Sequence, residues 1–527
     1  MPKHSACIGG ALQPKGLRRQ RQGPQSGVAA GTACHRANHT AAPYTAGVPT
    51  RKPSRKPPPA RPPSPAATAA AAAPHAGPAT SSLPLAQLLG HAADALQAVR
   101  AGRSLGDALV RTAPDARAGA LALASLALRR LGSASFARAA LAPRNPPPQV
   151  DALLLLALAL LWPAADPPYA DHTLVDQAVA CARRRTPNAA GFVNAVLRRF
   201  VRERDALTVA AAHDPQAAWN HPAWWIDRVR RDWPDQWQAL LRAAASHPPM
   251  TLRVNLRRTR GPAWLQRAAD AGRPGRLLGD PRLGGQAVML DQPCPVQALP
   301  GFDDGEVSVQ DAAAQLAAPL LIGGGAVAGV PPLRAGARVL DACAAPGGKT
   351  AQLLECRPDL ELLALDRDAQ RLARIGETLQ RLGLAGARLE AADAREPARW
   401  WDGRPFDAVL LDAPCTASGI VRRHPDIPWL RRPGDVDALV RTQAALLDAL
   451  WPLVAPGGRL LYATCSIFRA EGQAQIDAFV QRLGPPGPRI DAAAPGHWLP
   501  LADNVGDGDA GAVWHDGFFY ALLHKAA

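Results

Sequence analysis

Several things are missing from this chain of 527 residues, and each absence removes a class of function. Its eight cysteines (Cys7, Cys34, Cys181, Cys294, Cys343, Cys356, Cys415 and Cys465) show no CxxC or CxxH spacing, so neither a disulfide framework nor a zinc site is indicated. The scatter of His4, His35 and His39 around Cys7 and Cys34 matches no ligand pattern, and no metal is expected. The longest apolar run, Ala152 to Trp162, holds eleven residues. A membrane helix needs about 20, so the run reads as a buried helix and no membrane association is expected. No charged stretch followed by an apolar one opens the chain, which argues against a secretory leader. Free thiols suit a reducing compartment, and a cytoplasmic monomer is the expectation. No internal repeat is evident.

Acidic residues are absent from residues 1–80, which carry eleven Lys and Arg. Of the net charge of +16, only five units are left for the other 447 residues, so the folded part is mildly basic. The tail is rich in Pro, Ala and Gly, cannot bury enough apolar surface to offset chain entropy, and reads as disordered. It could hold RNA phosphates electrostatically or be a solvated extension.

The remainder divides into three parts. Over residues 83–205, Leu85, Leu88, Leu89, Ala92, Leu96 and Val99 recur at helical spacing, as do Leu121, Leu123, Leu126 and Leu128, which predicts a compact helical bundle. The stretch from Pro187 through Asn188, Gly191, Asn194, Arg198 and Arg199 to Phe200 resembles the last helices of NusB-type RNA-binding domains. That resemblance makes Arg198 and Arg199 candidate RNA contacts, against the plainer reading of a solvated helix face. Residues 206–332 read as linking helices, around His221-Pro222-Ala223-Trp224-Trp225, and a small α+β module for RNA recognition that opens with a strand at Met250–Asn255. A helix is expected over Ala312–Leu321.

From residue 333 to 527, strands and helices alternate. The expected fold is α/β, a Rossmann-like doubly wound, mostly parallel sheet. Five strand candidates are Val339-Leu340, Leu362–Leu365, Ala387–Leu389, Ala408–Leu411 and Leu460–Ala463. They run into Asp341, Asp366, Asp393, Asp412 and Cys465, at the carboxyl ends where open α/β sheets place ligands. Val513-Trp514 and Phe518–Leu523 flank His515-Asp516-Gly517 in a hairpin pattern, with Ala512 opening its first arm.

The first strand leads into Asp341-Ala342-Cys343-Ala344-Ala345-Pro346-Gly347-Gly348-Lys349-Thr350. Paired glycines let backbone approach a ligand, and the following helix start favours negative charge such as a carboxylate. The segment is neither GxGxxG nor GxxxxGK[ST], so a dinucleotide or nucleoside triphosphate is not its natural ligand. Asp366, 19 residues beyond Gly347, is placed to bind ribose hydroxyls, and Asp393 could face an adenine amine.

These residues, with Leu411-Asp412-Ala413-Pro414-Cys415 and Ala463-Thr464-Cys465-Ser466 in that order, resemble the NOL1/NOP2/Sun family of RNA cytosine-C5 methyltransferases. The NusB-like front end places the resemblance among the bacterial enzymes that modify 16S ribosomal RNA. The resemblance implies S-adenosyl-L-methionine as cofactor, bound by Cys343, Ala344, Ala345, Pro346, Gly347, Gly348, Lys349, Asp366, Asp393 and Asp412. It implies Cys465 as the nucleophile that adds to C6 of the base, making C5 able to accept a methyl group. Cys415 then assists release, in the proton-removal step, and Asp412 bonds or protonates the base near N3. The target by resemblance is the cytosine at position 967, unpaired or flipped out of its stack. DNA cytosine methyltransferases use a cysteine placed where Cys415 sits, so the choice of Cys465 rests on the resemblance. The loop Val421 to Arg432 puts Arg422, Arg423 and His424 near Trp429, a composition suited to single-stranded RNA. A decayed methylase acting as an RNA assembly factor would not need both thiols and the glycine turn. A nicotinamide dehydrogenase lacks its fingerprint here.

Overall fold

The structure, a computed structural model, describes residues 83–325, 327–501 and 513–527; the basic tail and Ala512 lie outside them. The described chain opens with α1 (Leu85–Arg100), α2 (Leu105–Leu109), α3 (Pro114–Arg129), α4 (Leu131–Leu141), α5 (Pro148–Leu161), α6 (Asp171–Arg185) and α7 (Ala190–Ala211). The long apolar run becomes α5, buried from Val150 to Leu161. Apolar on every side, it can only be a central helix. Its one charge, Asp151, is held by Arg100 at 2.7 Å and Arg138 at 3.1 Å. Around it α1 buries Leu89, Ala92, Leu96 and Val99, and α3 buries Leu123 and Leu128. Leu121 of the predicted stripe faces outward, 44% exposed. Pro114 and Pro148 sit in first turns, where a missing amide breaks no helical bond.

Short helices Pro215–Trp219, Ala223–Asp232 and Trp237–Ala245 lead to an antiparallel sheet of β1 (Met250–Val254), β2 (Gly275–Leu277), β3 (Ala287–Leu290) and β4 (Val307–Val309), in the order β2-β3-β1-β4. Trp264 and Ala268 of the helix Gly261–Asp270 pack on Leu252, Val254, Val288 and Val307. The helix expected from Ala312 begins late. A 3-10 turn at Ala314–Leu316 precedes Ala317–Ile322, because the Asp311 carboxylate takes the Ala313 amide at 2.9 Å and competes with helical pairing.

The large sheet contains β5 (Arg338–Asp341), β6 (Glu361–Asp366), β7 (Ala387–Ala391), β8 (Phe406–Asp412), β9 (Val454–Thr464), β10 (Arg489–Trp498) and β11 (Phe518–His524), ordered β10-β11-β9-β8-β5-β6-β7. The pairs from β9 through β7 are parallel. The chain winds outward through β6 and β7, then returns to lay β8 on the other side of β5. That reversal is a topological switch point, with the ends of β5 and β8 at its crevice. Buried residues line both faces, Val339, Leu410 and Leu461 on one and Leu340, Val409 and Leu460 on the other.

The predicted hairpin is not formed. Phe518–His524 lies antiparallel between β9 and β10, with Phe519 opposite Thr464 and Trp498 opposite Phe518. Trp514 and His515 pack on Trp498 instead, at ring separations of 5.5 and 4.3 Å, and Asp516 turns inward. The aromatic contacts and the buried charge outweigh the turn propensity of His-Asp-Gly.

Leu410→Ala, at a fully buried position of β8, should cost about 2–5 kcal/mol. Leu121→Ala should stay within about 0.5 kcal/mol. Urea unfolding of both variants checks this, and comparable losses would contradict the packing described.

Candidate active site

Because β8 and β9 are parallel neighbours with Asp412 opposite Ala463, the loops that follow them emerge side by side. The Ala413 amide donates to Ala463 O and the Gly419 amide to Cys465 O, both at 2.9 Å, stitching the loops together. Cys415 Sγ and Cys465 Sγ come within 3.4 Å. The hydrogen bond to Cys465 and burial push the Cys415 thiol well above its ordinary range, with the Cys465 and Glu471 charges acting the same way.

Asp412 ends β8 and accepts Lys349 Nζ at 2.5 Å. Burial pulls the Lys349 pKa down, but Asp412 outweighs it, with Cys465 and Asp341 adding to the effect, and leaves the ammonium above its ordinary value.

Across the crevice, β5 ends at Asp341, fully buried, with Oδ2 accepting Thr350 Oγ1 at 2.7 Å and Oδ1 without a partner among the described residues. Burial raises its pKa to about 7, against the pull of Thr350. Gly347 has φ +95°, a conformation side chains avoid, and a Cβ there would stand 3.0 Å from Ile375. It turns the chain into the helix Gly348–Cys356, whose first amides lack helical partners. Asp366 closes β6, taking the Ala345 amide at 3.2 Å and the Asp368 amide at 3.0 Å. Asp393, after β7, is paired with Arg395, whose bonds hold its carboxyl below the ordinary range. Burial, with Asp412, Asp341, Asp366 and Asp393, pushes the Cys343 thiol far up, which disfavours its thiolate.

The donor set fits S-adenosylmethionine. An unpartnered buried carboxylate oxygen at Asp341 and the surrounding carboxylates suit a molecule bearing ammonium and sulfonium charges, and a helix start suits its carboxylate. Among the described residues, no group of three or more His, Cys, Asp or Glu could hold a metal ion, and no helix is long and apolar enough to cross a membrane.

Two of the candidate RNA contacts need correction. Arg422 is 2% exposed and donates to Asp516 and to Val513 O. Arg423 bridges Asp516 and Asp311, the latter at 2.8 Å. Both guanidiniums are spent on buried carboxylates, whose desolvation demands a partner, and neither is presented to RNA. His424 is exposed. The rest of the loop docks on the helical bundle. Asp426 accepts the Leu105 amide at 2.9 Å, and Trp429 Nε1 donates to Leu128 O at 3.1 Å. On α7, Arg198 bonds Asn194 at 2.9 Å and Arg199 pairs with Glu203 at 2.8 Å, both in exposed i,i+4 geometry.

Sequence reasoning passed over Glu471, which is buried beside both thiol loops, and the Asp311–Asp516 pair. Glu471 follows Cys465 by six residues in Arg469-Ala470-Glu471-Gly472, where nothing separates it from a surface acid.

An acid whose folded pKa lies above its unfolded value binds more protons when folded, so its contribution to stability falls as pH rises between the two values. For Asp341 that window runs from the ordinary aspartate value of 3.8 to about 7. Asp341→Asn keeps an acceptor for Thr350 and should flatten the decline of melting temperature across that window. An unchanged slope would contradict a buried, raised carboxyl.

Three family models match in chain order: NusB family over residues 116–202, RsmF/B-like ferredoxin-like domain over 221–297, and 16S rRNA methyltransferase RsmB/F over 332–487. The chain is similar to ribosomal RNA small subunit methyltransferase B of Pseudomonas syringae pv. tomato, 44% identical over 384 residues, 72% of this chain and 82% of that protein. The Vibrio cholerae serotype O1 protein of the same name is 41% identical over 361 residues, 67% of this chain and 77% of that one. The solved structure of PH0851 superposes with a TM-score of 0.64 at 22% identity, covering 84% of this chain and 99% of that one, a likeness of fold. With these matches in the order of the structure just described, the chain belongs to the RsmB/F family of 16S rRNA methyltransferases.

Proposed function

We propose that this protein methylates C5 of one cytosine in 16S ribosomal RNA, using S-adenosyl-L-methionine and a transient bond between Cys465 and C6 of the base. The observation that carries the reading is the thiol pair, 3.4 Å apart beyond the ends of β8 and β9, beside the Asp412–Lys349 ion pair.

Cytosine C5 is a weak nucleophile until a group adds at C6. By the family resemblance Cys465 is the thiol that adds at C6, and Asp412 bonds or protonates the base near N3 as electrons move into the ring. S-adenosylmethionine, when bound, supplies a methyl group made electrophilic by its sulfonium. Asp341, Asp366, Asp393, Lys349 and the turn Cys343–Gly348 are the residues to hold it. Cys415 then takes part in removing the C5 proton, and the Cys465–C6 bond breaks to restore the aromatic ring. By the family resemblance the target is the cytosine at position 967. C5 inside a stacked helix is out of reach, so the base must be unpaired or flipped. Residues 83–205 and 206–332 are assigned to holding the RNA, with Arg198, Arg199 and His424 as the exposed candidates, and 333–527 to catalysis in a cytoplasmic monomer.

Labelled-methyl transfer to unmodified 16S ribosomal RNA tests the reaction. Wild type should label one cytosine, Cys465→Ala should abolish labelling, and Cys415→Ala should accumulate an RNA–protein adduct. An active Cys465→Ala beside a dead, adduct-free Cys415→Ala would reverse the two roles. Tight RNA binding without transfer would mark an assembly factor instead.

A further inference from the structure

Glu471 is fully buried in the 3-10 turn Arg469–Glu471, six residues beyond Cys465. A buried carboxylate must be satisfied by donors, and here the donors come from both thiol loops. Oε1 accepts the Thr416 amide at 2.8 Å and Gln443 Nε2 at 3.2 Å. Oε2 accepts Ser466 Oγ at 2.6 Å and the Thr416 hydroxyl. Thr416 directly follows Cys415, and Ser466 directly follows Cys465. One carboxylate thus grips the residue after each thiol. Its own carbonyl accepts Tyr462 OH at 2.9 Å, which ties the turn back to β9. Gln443 also donates to Pro414 O at 2.9 Å, on the other side of Cys415.

The network has a fixed direction. The Ile467 amide donates to Ser418 Oγ at 2.9 Å and the Phe468 amide to Ser466 Oγ at 3.1 Å. Ser418 and Ser466 hydroxyls lie 2.8 Å apart, so Ser418 donates to Ser466 and Ser466 donates onward to Glu471. The chain of donors must end on a group that only accepts, which a carboxylate is and an amide is not. Burial pushes the Glu471 carboxyl up, while Ser466, Thr416 and Gln443 pull it back.

We propose that Glu471 is a positioning residue of the methyl-transfer site, its carboxylate setting the separation of Cys415 and Cys465 by holding the residue that follows each. This rests on the reading of the two cysteines as the reacting thiols. Glu471→Gln has the same shape but turns an NH2 either toward the two hydroxyls or toward the Thr416 amide and Gln443. Toward the Thr416 amide and Gln443 it sets donor against donor, and toward the hydroxyls it makes Ser466 and Thr416 reverse to accept; either way the carboxylate's grip on the two loops is changed without a cavity being made.

Two readouts on the full chain test this. The first is the rate at which diamide converts the Cys415 and Cys465 thiols to a disulfide. The reagent accepts the two hydrogens lost, and the linked peptides are identified by mass. The second is methyl transfer with kcat and KM resolved. E471Q should melt close to wild type, form the disulfide about tenfold more slowly, lose about tenfold in kcat and keep KM for RNA and cofactor. Ser466→Ala, which frees only the Cys465 side, should show a smaller fall in both rates, and it decides the matter if E471Q does not fold. Wild-type disulfide rates in the folded variants, or a loss confined to melting temperature, would overturn the proposal. A wild type that forms the disulfide rapidly but transfers no methyl would remove the assigned reaction and leave the clamp standing.

Discussion

Parallel hydrogen bonding between β8 and β9 sets Asp412 opposite Ala463, and the chain leaves both strands at the same height above the sheet. Everything reactive follows from that register. Side chains alternate between faces along a strand, so a slip of one residue would exchange Leu410 for Leu411 in the core and turn Asp412 away from Lys349. Burial on both faces makes such a slip expensive, and the thiols beyond the strand ends inherit a fixed spacing. The order β9-β8-β5 then brings Asp341 and the glycine turn to the same crevice.

Charge is distributed there with a division of labour. Asp412 has a cation of its own in Lys349, while Asp341 keeps one oxygen without a partner among the described residues. The second charged cluster, Arg422, Arg423, Asp311 and Asp516, is closed on itself and structural. It ties the loop after Cys415 to the segment before β11 and to the start of the turn at Asp311. On its far side the same loop carries Asp426 and Trp429 into the helical bundle. The bundle is thus joined to the loop after Cys415 by direct hydrogen bonds.

Four of the five parallel strands could be read from the sequence because each is an apolar run ending in a polar residue, the form of parallel strands buried on both faces, whereas the edge strand β7 carries Arg388 and Glu390 and has no buried residue. The thiol motifs could be found because Asp412, Cys415 and Cys465 sit at those ends. What the sequence hides is long-range pairing. Arg422 and Arg423 look like RNA contacts until Asp516, 94 and 93 residues on, and Asp311, 112 residues before Arg423, are brought to them. Glu471 looks like any surface acid, because its value lies in Thr416 and Gln443, 55 and 28 residues away. The hairpin at His515-Asp516-Gly517 fails for a related reason: local turn propensity cannot register that β11 has two longer partners waiting on either side.

The central claim, a bond from Cys465 to the target base, is tested most directly with RNA carrying 5-fluorocytidine at the target site. Fluorine at C5 cannot leave as a proton does, so the adduct persists after methyl transfer. The account predicts an RNA-linked peptide containing Cys465, formed only with S-adenosylmethionine present and located by mass spectrometry. A link to Cys415, or methylated RNA with no protein attached, would contradict it.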